Sequence, residues 1–106
     1  MCFAIRVVRC YKYLADEKHE YTLSKQMLRC GTSIGANIKE ALRGQSRPDF
    51  SAKMNISLKE ASECEYWIEL LKNTEFLPKD LAQSLLEDCQ ELIKILTSIV
   101  KSTNEK

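Results

Sequence analysis

The sequence feature that most constrains the fold is a pair of glycines, Gly31 and Gly35, inside a segment that otherwise favours helix. Each glycine in a helix interior costs about 1 kcal/mol relative to alanine, so a compensating interaction is required. Residues four positions apart share one helix face, and a face without side chains lets a neighbouring helix approach closely. We therefore predict a tight helix–helix contact at Gly31 and Gly35, with Ile38 on the same face. On this view Gly35→Leu is far more disruptive than Gly35→Ala.

The composition favours one small all-α domain. The 106 residues include only three glycines and two prolines, too few for the many turns of an all-β fold, and they provide one modest core. The five cysteines are odd in number and form no CxxC pair, so we expect free thiols. The sequence contains neither a transmembrane-length apolar run nor the pattern of a signal peptide, and we expect a cytoplasmic protein without membrane partners.

Hydrophobic periodicity predicts four helices within a single domain spanning residues 1–106. Ser46 and Asp49 have capping-box spacing, Pro48 suits the first turn of a helix, and Thr22 or Ser24 offers a cap for the second helix. Because the connections are short, we predict an antiparallel up-down-up-down four-helix bundle. The predicted helices cover residues 2–18, 23–44, 47–73 and 78–102.

The third and fourth predicted helices carry more apolar surface than one bundle can bury. A bundle helix needs about one apolar stripe, and several large side chains lie outside these stripes. The simplest partner for such a surface is a second copy of the chain, so we predict a closed homo-oligomer. The residues expected at its interface are Ile56, Trp67, Leu70, Leu86 and Ile95.

The net charge of +1 hides an asymmetry between the two halves of the chain. Residues 1–53 contain ten basic and five acidic side chains, whereas residues 54–106 contain six and ten. On the second predicted helix four basic side chains align within about 80° of arc, and a fifth follows the helix. Such a stripe can track nucleic-acid phosphates, or it can pair with acidic residues of helices three and four or simply be solvated. The stripe consists of Lys25, Arg29, Lys39, Arg43 and Arg47.

Six segments form a recognisable pattern: Gln26–Arg29, Thr32–Ala41, Gln45–Ser46, Asp49–Phe50, Glu65–Trp67 and Leu96–Ile99. Together they resemble the bacterial four-helix bundle proteins of the 23S rRNA intervening-sequence type. The resemblance implies an up-down-up-down bundle that assembles into a closed homopentamer. Some members are encoded inside insertions within 23S rRNA genes. A related branch is the accessory protein of the reverse transcriptase of diversity-generating retroelements, and is thought to bind nucleic acid.

No pattern in the sequence indicates catalysis, a cofactor or a metal site. Di-metal sites in four-helix bundles use paired Glu-x-x-His motifs, and this chain has the single histidine His19. Glycine-rich phosphate loops and haem-attachment motifs are also missing from the sequence. Two functions remain open: a non-enzymatic oligomeric adaptor that binds RNA or DNA, or a protein-binding scaffold with no nucleic-acid role.

Overall fold

The computed structural model describes residues 2–44 and 46–104, which form four helices packed in sequence as an elongated bundle. The bundle measures 46 × 20 × 19 Å along its principal axes. Consecutive helices pack on each other, and α1 also contacts α4 along a looser seam. The all-α prediction and the number of helices are confirmed. The helices are α1 (Cys2–Asp16), α2 (Leu23–Leu42), α3 (Arg47–Asn73) and α4 (Lys79–Asn104).

Helices α2 and α3 pack antiparallel to each other. Near the α2–α3 connection, Lys53 forms an ion pair with Glu40 at 2.8 Å. In the middle of the pair, the buried Ser57 hydroxyl donates to the carbonyl of Ile34 at 2.9 Å. Because contacts farther along α3 meet residues earlier in α2, the two helices run in opposite directions. Short connections then place α2 and α3 side by side over most of their length.

The end of α1 lies two residues earlier than predicted because the chain reverses there. His19 adopts a left-handed backbone conformation with φ 54°, which a helix cannot continue through. The backbone N–H of Glu20 then donates to the carbonyl of Leu14 at 2.9 Å, which satisfies one of the last free carbonyls of α1. This reversal turns the chain directly into α2.

Glu20 provides the cap of α2. Its carboxylate accepts from the backbone N–H groups of Thr22, Leu23 and Ser24 at 3.2, 3.0 and 2.8 Å. Thr22 occupies the N-cap position, but its side chain makes no capping hydrogen bond. The prediction that Thr22 or Ser24 caps α2 is therefore wrong. Burial raises the pKa of Glu20, but the hydrogen bonds from Leu23, Ser24 and Thr22 outweigh it and lower that pKa below its ordinary value.

The start of α3 follows the predicted capping pattern. The hydroxyl of Ser46 accepts from the backbone N–H of Asp49 at 3.2 Å, and Pro48 lies in the first turn. Gln45, which belongs to one of the segments that carry the family resemblance, lies outside the described residues. At its other end α3 finishes in a Schellman-type turn, in which Phe76 N–H donates to Leu71 carbonyl at 3.0 Å and Glu75 has φ 68°.

The two glycines of α2 have different surroundings. A Cβ atom added to Gly31 would lie 2.8 Å from Cγ1 of Val7, so α1 packs against the bare backbone there. A Cβ atom added to Gly35 would meet nothing within 4 Å, and the expected helix contact within the chain is therefore wrong at Gly35. No side chain of α1 covers Gly35 in the way that Val7 covers Gly31. Ile38 is half-buried against the core.

Each helix contributes one buried cysteine to the core: Cys10, Cys30, Cys64 and Cys89. Hydrogen bonds with Cys30 and Cys89, together with burial, raise the pKa of the Cys64 thiol far above its ordinary value. The thiol of Cys89 donates to the carbonyl of Ala61 at 3.3 Å. The cysteines, including the exposed Cys2, are free thiols, as predicted.

Candidate nucleic-acid interface

The predicted basic stripe is exposed, but its second residue, Arg29, is paired with acidic side chains. Arg29 forms ion pairs with Glu60 at 3.3 Å and with Glu63, both on α3. Desolvation lowers the pKa of Arg29, but the carboxylates of Glu63 and Glu60 together outweigh it and raise that pKa. The alternative interpretation, in which the stripe pairs with acidic residues of α3, is therefore correct at Arg29.

Glu63 joins this ion pair to the aromatic residues of α3. Its carboxylate accepts from the indole N–H of Trp67 at 2.9 Å while it also binds Arg29. The ring of Trp67 meets Tyr66 edge to face, with ring centroids 5.0 Å apart. Trp67 is half-buried against the core of its own chain, so part of its surface is already covered within the monomer.

Three other residues of the stripe lie together at the α2–α3 connection, a group that we name the basic end: Lys39, Arg43 and Arg47. All three side chains are exposed. Across residues 2–44 and 46–104, none of the three forms an ion pair. The neighbouring carboxylate of Glu40 is bound by Lys53 at 2.8 Å, which removes one competing negative charge from this region.

Lys25 lies at the opposite end of α2 from the basic end. It is exposed near the start of the helix, about 27 Å along the helix axis from Arg43 at 1.5 Å per residue. The Arg29 ion pairs lie between them. The structure therefore divides the predicted stripe into a compact basic end and an isolated lysine.

The apolar residues predicted at an oligomer interface fall into three groups. Ile56 and Ile95 are 40% and 48% exposed, while Trp67 and Leu70 are half-buried. Leu86 is only 4% exposed within its own chain, so its assignment to an oligomer interface is wrong. It belongs to the buried core of the chain.

Sequence analysis missed five large exposed apolar or aromatic side chains. The most exposed is Leu42 at 73%, and Ile5 and Val8 project from the outer side of α1. Helical spacing already separates Ile5 from the stripe that contains Val7, so this one was detectable in the sequence. The exposure of Leu42 could not be detected in the sequence, because only the positions of α1 and α4 show that its face of α2 is uncovered. The five are Ile5, Val8, Tyr21, Leu42 and Tyr66.

Neither a metal centre nor a membrane span is found in the part of the chain that the structure describes. No three histidine, cysteine or acidic side chains among these residues are grouped so that they could hold a metal ion. None of the described helices combines the length and the apolarity needed to cross a membrane.

Comparison with known proteins agrees with the resemblance in the sequence. A crystal structure of a protein with unknown function from the S23 ribosomal protein family of Bacteroides thetaiotaomicron VPI-5482 is 54% identical and superposes with a TM-score of 0.92. The match covers 93% of this chain and 92% of that chain. No curated protein matches the chain. The family model described as 23S rRNA-intervening sequence protein matches residues 1–98, and the chain therefore belongs to that family.

Proposed function

We propose that this protein is a non-enzymatic, self-assembling four-helix bundle that binds RNA or DNA through its basic end. The observation that carries the proposal is the exposure of Lys39, Arg43 and Arg47 without an ion-pair partner among the described residues. Phosphate contacts by such side chains release counterions and supply most of the affinity of non-specific binding. They offer little readout of base edges, so we expect weak sequence specificity.

Self-assembly places several copies of the basic end in one particle. The exposed apolar residues Ile56, Ile95 and Leu42 support contacts between copies, because packing a second copy over them removes their apolar surface from water. The resemblance to intervening-sequence proteins supports a closed homopentamer. In a closed ring every copy presents the same basic end, and several weak sites joined rigidly bind one polyanion far more tightly than a single site.

Filter binding with a structured RNA and a duplex DNA at low salt tests the nucleic-acid proposal. The variant Lys39→Ala/Arg43→Ala/Arg47→Ala should bind at least tenfold more weakly, and its salt dependence should be shallower by about one unit per lost phosphate contact. The matched control is Lys59→Ala/Lys79→Ala/Lys94→Ala, which removes the same charge from exposed positions on α3 and α4. Equal weakening in both variants, or no binding by the unmodified protein, would contradict the proposal.

Arg29→Ala gives a second comparison. Because Glu60 and Glu63 already hold Arg29, we expect this substitution to change nucleic-acid affinity less than Arg43→Ala does. Its larger effect should be on stability, since it leaves the two carboxylates of α3 without their partner. A larger loss of affinity for Arg29→Ala would show that the ion pairs open when nucleic acid binds.

A protein-binding scaffold remains the second candidate. Tyr66 is 56% exposed beside Trp67 on α3, and exposed aromatic side chains anchor many protein interfaces. Under this alternative, Tyr66→Ala weakens binding of a protein partner, while the basic-end variant has no effect on function. The two candidates differ in the absorbance ratio at 260 and 280 nm of freshly purified protein, which is raised only if nucleic acid copurifies.

A further inference from the structure

An open groove of the described molecule lies between the first turn of α1 and the middle of α2 and α4, and we name it the α2–α4 groove. Its volume is about 410 Å³. The apolar part of its lining includes Phe3, Ala4, Gly35, Ile38 and Leu92. The carboxylates of Asp88 and Glu91 on α4 form an acidic rim.

The groove is open because α1 covers only part of the surface that α2 and α4 share. The 15 residues of α1 extend about 22 Å, whereas the 26 residues of α4 extend about 39 Å. Beyond the first turn of α1 the apolar faces of the longer helices continue. Ile95 on α4 is 48% exposed and Leu42 on α2 is 73% exposed.

A second surface has the complementary character. The outer side of α1 carries Ile5 and Val8, which are 44% and 37% exposed, beside the exposed basic residues Arg9 and Lys12. Together with Ala4 these residues line a shallow depression. We name this surface the α1 outer face. In the described part of the chain neither Arg9 nor Lys12 forms an ion pair.

We infer that the α1 outer face of one copy docks in the α2–α4 groove of a second copy, an inference that rests on the proposed self-assembly. Both surfaces have an apolar centre, and their charged edges have opposite signs. Asp88 is bound by Arg6 of its own chain at 2.6 Å, so Glu91 is the rim carboxylate available to Arg9 or Lys12 of the next copy. Opposite charges at the rim of an interface accelerate association and fix its register.

The shape of the groove suits this occupant. Nothing lies within 4 Å of the position that a Cβ atom on Gly35 would occupy, so an incoming side chain can reach the backbone of α2. Within the chain Val7 already packs in this manner over Gly31. An apolar side chain of the α1 outer face, Ile5 or Val8, can make the equivalent contact over Gly35. The groove and the outer face meet at Ala4 but are otherwise formed by different residues, so repeated docking builds a closed ring when the rotation between copies closes.

Light scattering coupled to gel filtration tests the inference through charge reversal. The variants Arg9→Glu/Lys12→Glu and Glu91→Arg should each weaken self-association at least tenfold. Combining Arg9→Glu with Glu91→Arg should restore at least part of the association, because the attraction is kept with its sign reversed. Lys79→Glu, at the start of α4 and outside both surfaces, is the matched control and should assemble like the unmodified protein.

Gly35→Leu tests the groove independently of charge. The added side chain has open space within its own chain, so the thermal unfolding of a monomeric sample should change little, while assembly should be lost. If the unmodified protein assembles and both charge-reversal variants assemble equally well, this interface is refuted while self-assembly stands. A monomer at 100 micromolar for the unmodified protein would refute the inference and the proposed self-assembly together.

Discussion

The contrast between Gly31 and Gly35 predicts opposite effects of the same substitution one helical turn apart. In Gly31→Ala the new methyl group would lie 2.8 and 3.0 Å from the two methyl carbons of Val7. Val7 is fully buried and β-branched, so its side chain cannot rotate away cheaply. Overpacking of this kind costs about 1–3 kcal/mol, against a gain of about 1 kcal/mol in helix propensity.

Gly35→Ala has the same gain in helix propensity without the clash. The two variants should therefore differ in free energy of unfolding by about 1–3 kcal/mol, with Gly35→Ala the more stable. For a domain of this size that difference separates the midpoints of thermal unfolding by at least about 4 °C. Urea unfolding followed by circular dichroism measures it, and two protein concentrations tenfold apart separate stability within the chain from any contribution of assembly.

The double variant Val7→Ala/Gly31→Ala provides the control. Val7→Ala removes both methyl carbons that the new side chain would meet, so in that background Gly31→Ala should stabilise rather than destabilise. Equal stabilities of Gly31→Ala and Gly35→Ala in the otherwise unmodified protein would refute the packing argument. So would a destabilisation by Gly31→Ala that persists unchanged when Val7 is alanine.

Three further predictions concern the helix ends and the Arg29 ion pairs. Glu20→Gln should lower the free energy of unfolding at pH 7 by about 1 kcal/mol relative to the nearby control Glu17→Gln. Because the folded pKa of Glu20 is depressed, this contribution is complete above the ordinary glutamate pKa and is lost as the pH falls through the folded pKa, so urea titrations at pH 7 and at successively more acidic pH should show the difference shrink as the pH falls. Glu75→Gly should raise the midpoint of thermal unfolding, since a left-handed residue with a side chain costs about 1–2 kcal/mol and glycine avoids most of it; a lower midpoint would contradict this reasoning. Glu63→Gln should shift the fluorescence of the single tryptophan, because the charged acceptor of the Trp67 indole N–H becomes neutral, whereas Glu69→Gln on the same helix should not.

The number of helices and most of their boundaries could be predicted from the sequence, because the residues that indicate them lie close together along the chain. Ser46, Pro48 and Asp49 lie within four residues, and together they fixed the start of α3. The end of α1 was placed too late, because nothing in the composition of the turn indicates that His19 adopts a positive φ. The cap of α2 was missed because Glu20 lies outside the usual capping position and accepts from three successive N–H groups.

The candidate site was only partly predictable because it depends on neighbours distant in sequence. A helical wheel shows that Gly35 shares a face with Gly31, but not that α1 reaches only one of them. It likewise gives the direction of Leu86 relative to its own helix, but not that the rest of the bundle covers this side of α4. The partners of Arg29 depend on the antiparallel register of α2 and α3, which the sequence does not specify.

Each helix carries one core cysteine, so thiol labelling of the unmodified protein reports which helix opens locally. A thiol reagent must reach the sulfur atom, and all four core thiols are buried, so each is protected until its helix moves away. Burial also raises the pKa of Cys10 to about 11, which suppresses its reactive thiolate form. The exposed Cys2 reacts at once and calibrates the reagent. The order in which Cys10, Cys30, Cys64 and Cys89 become labelled, read by peptide mass, therefore distinguishes a bundle that opens all at once from one in which α1 detaches first. No label need be introduced, because the chain already has one probe for each helix.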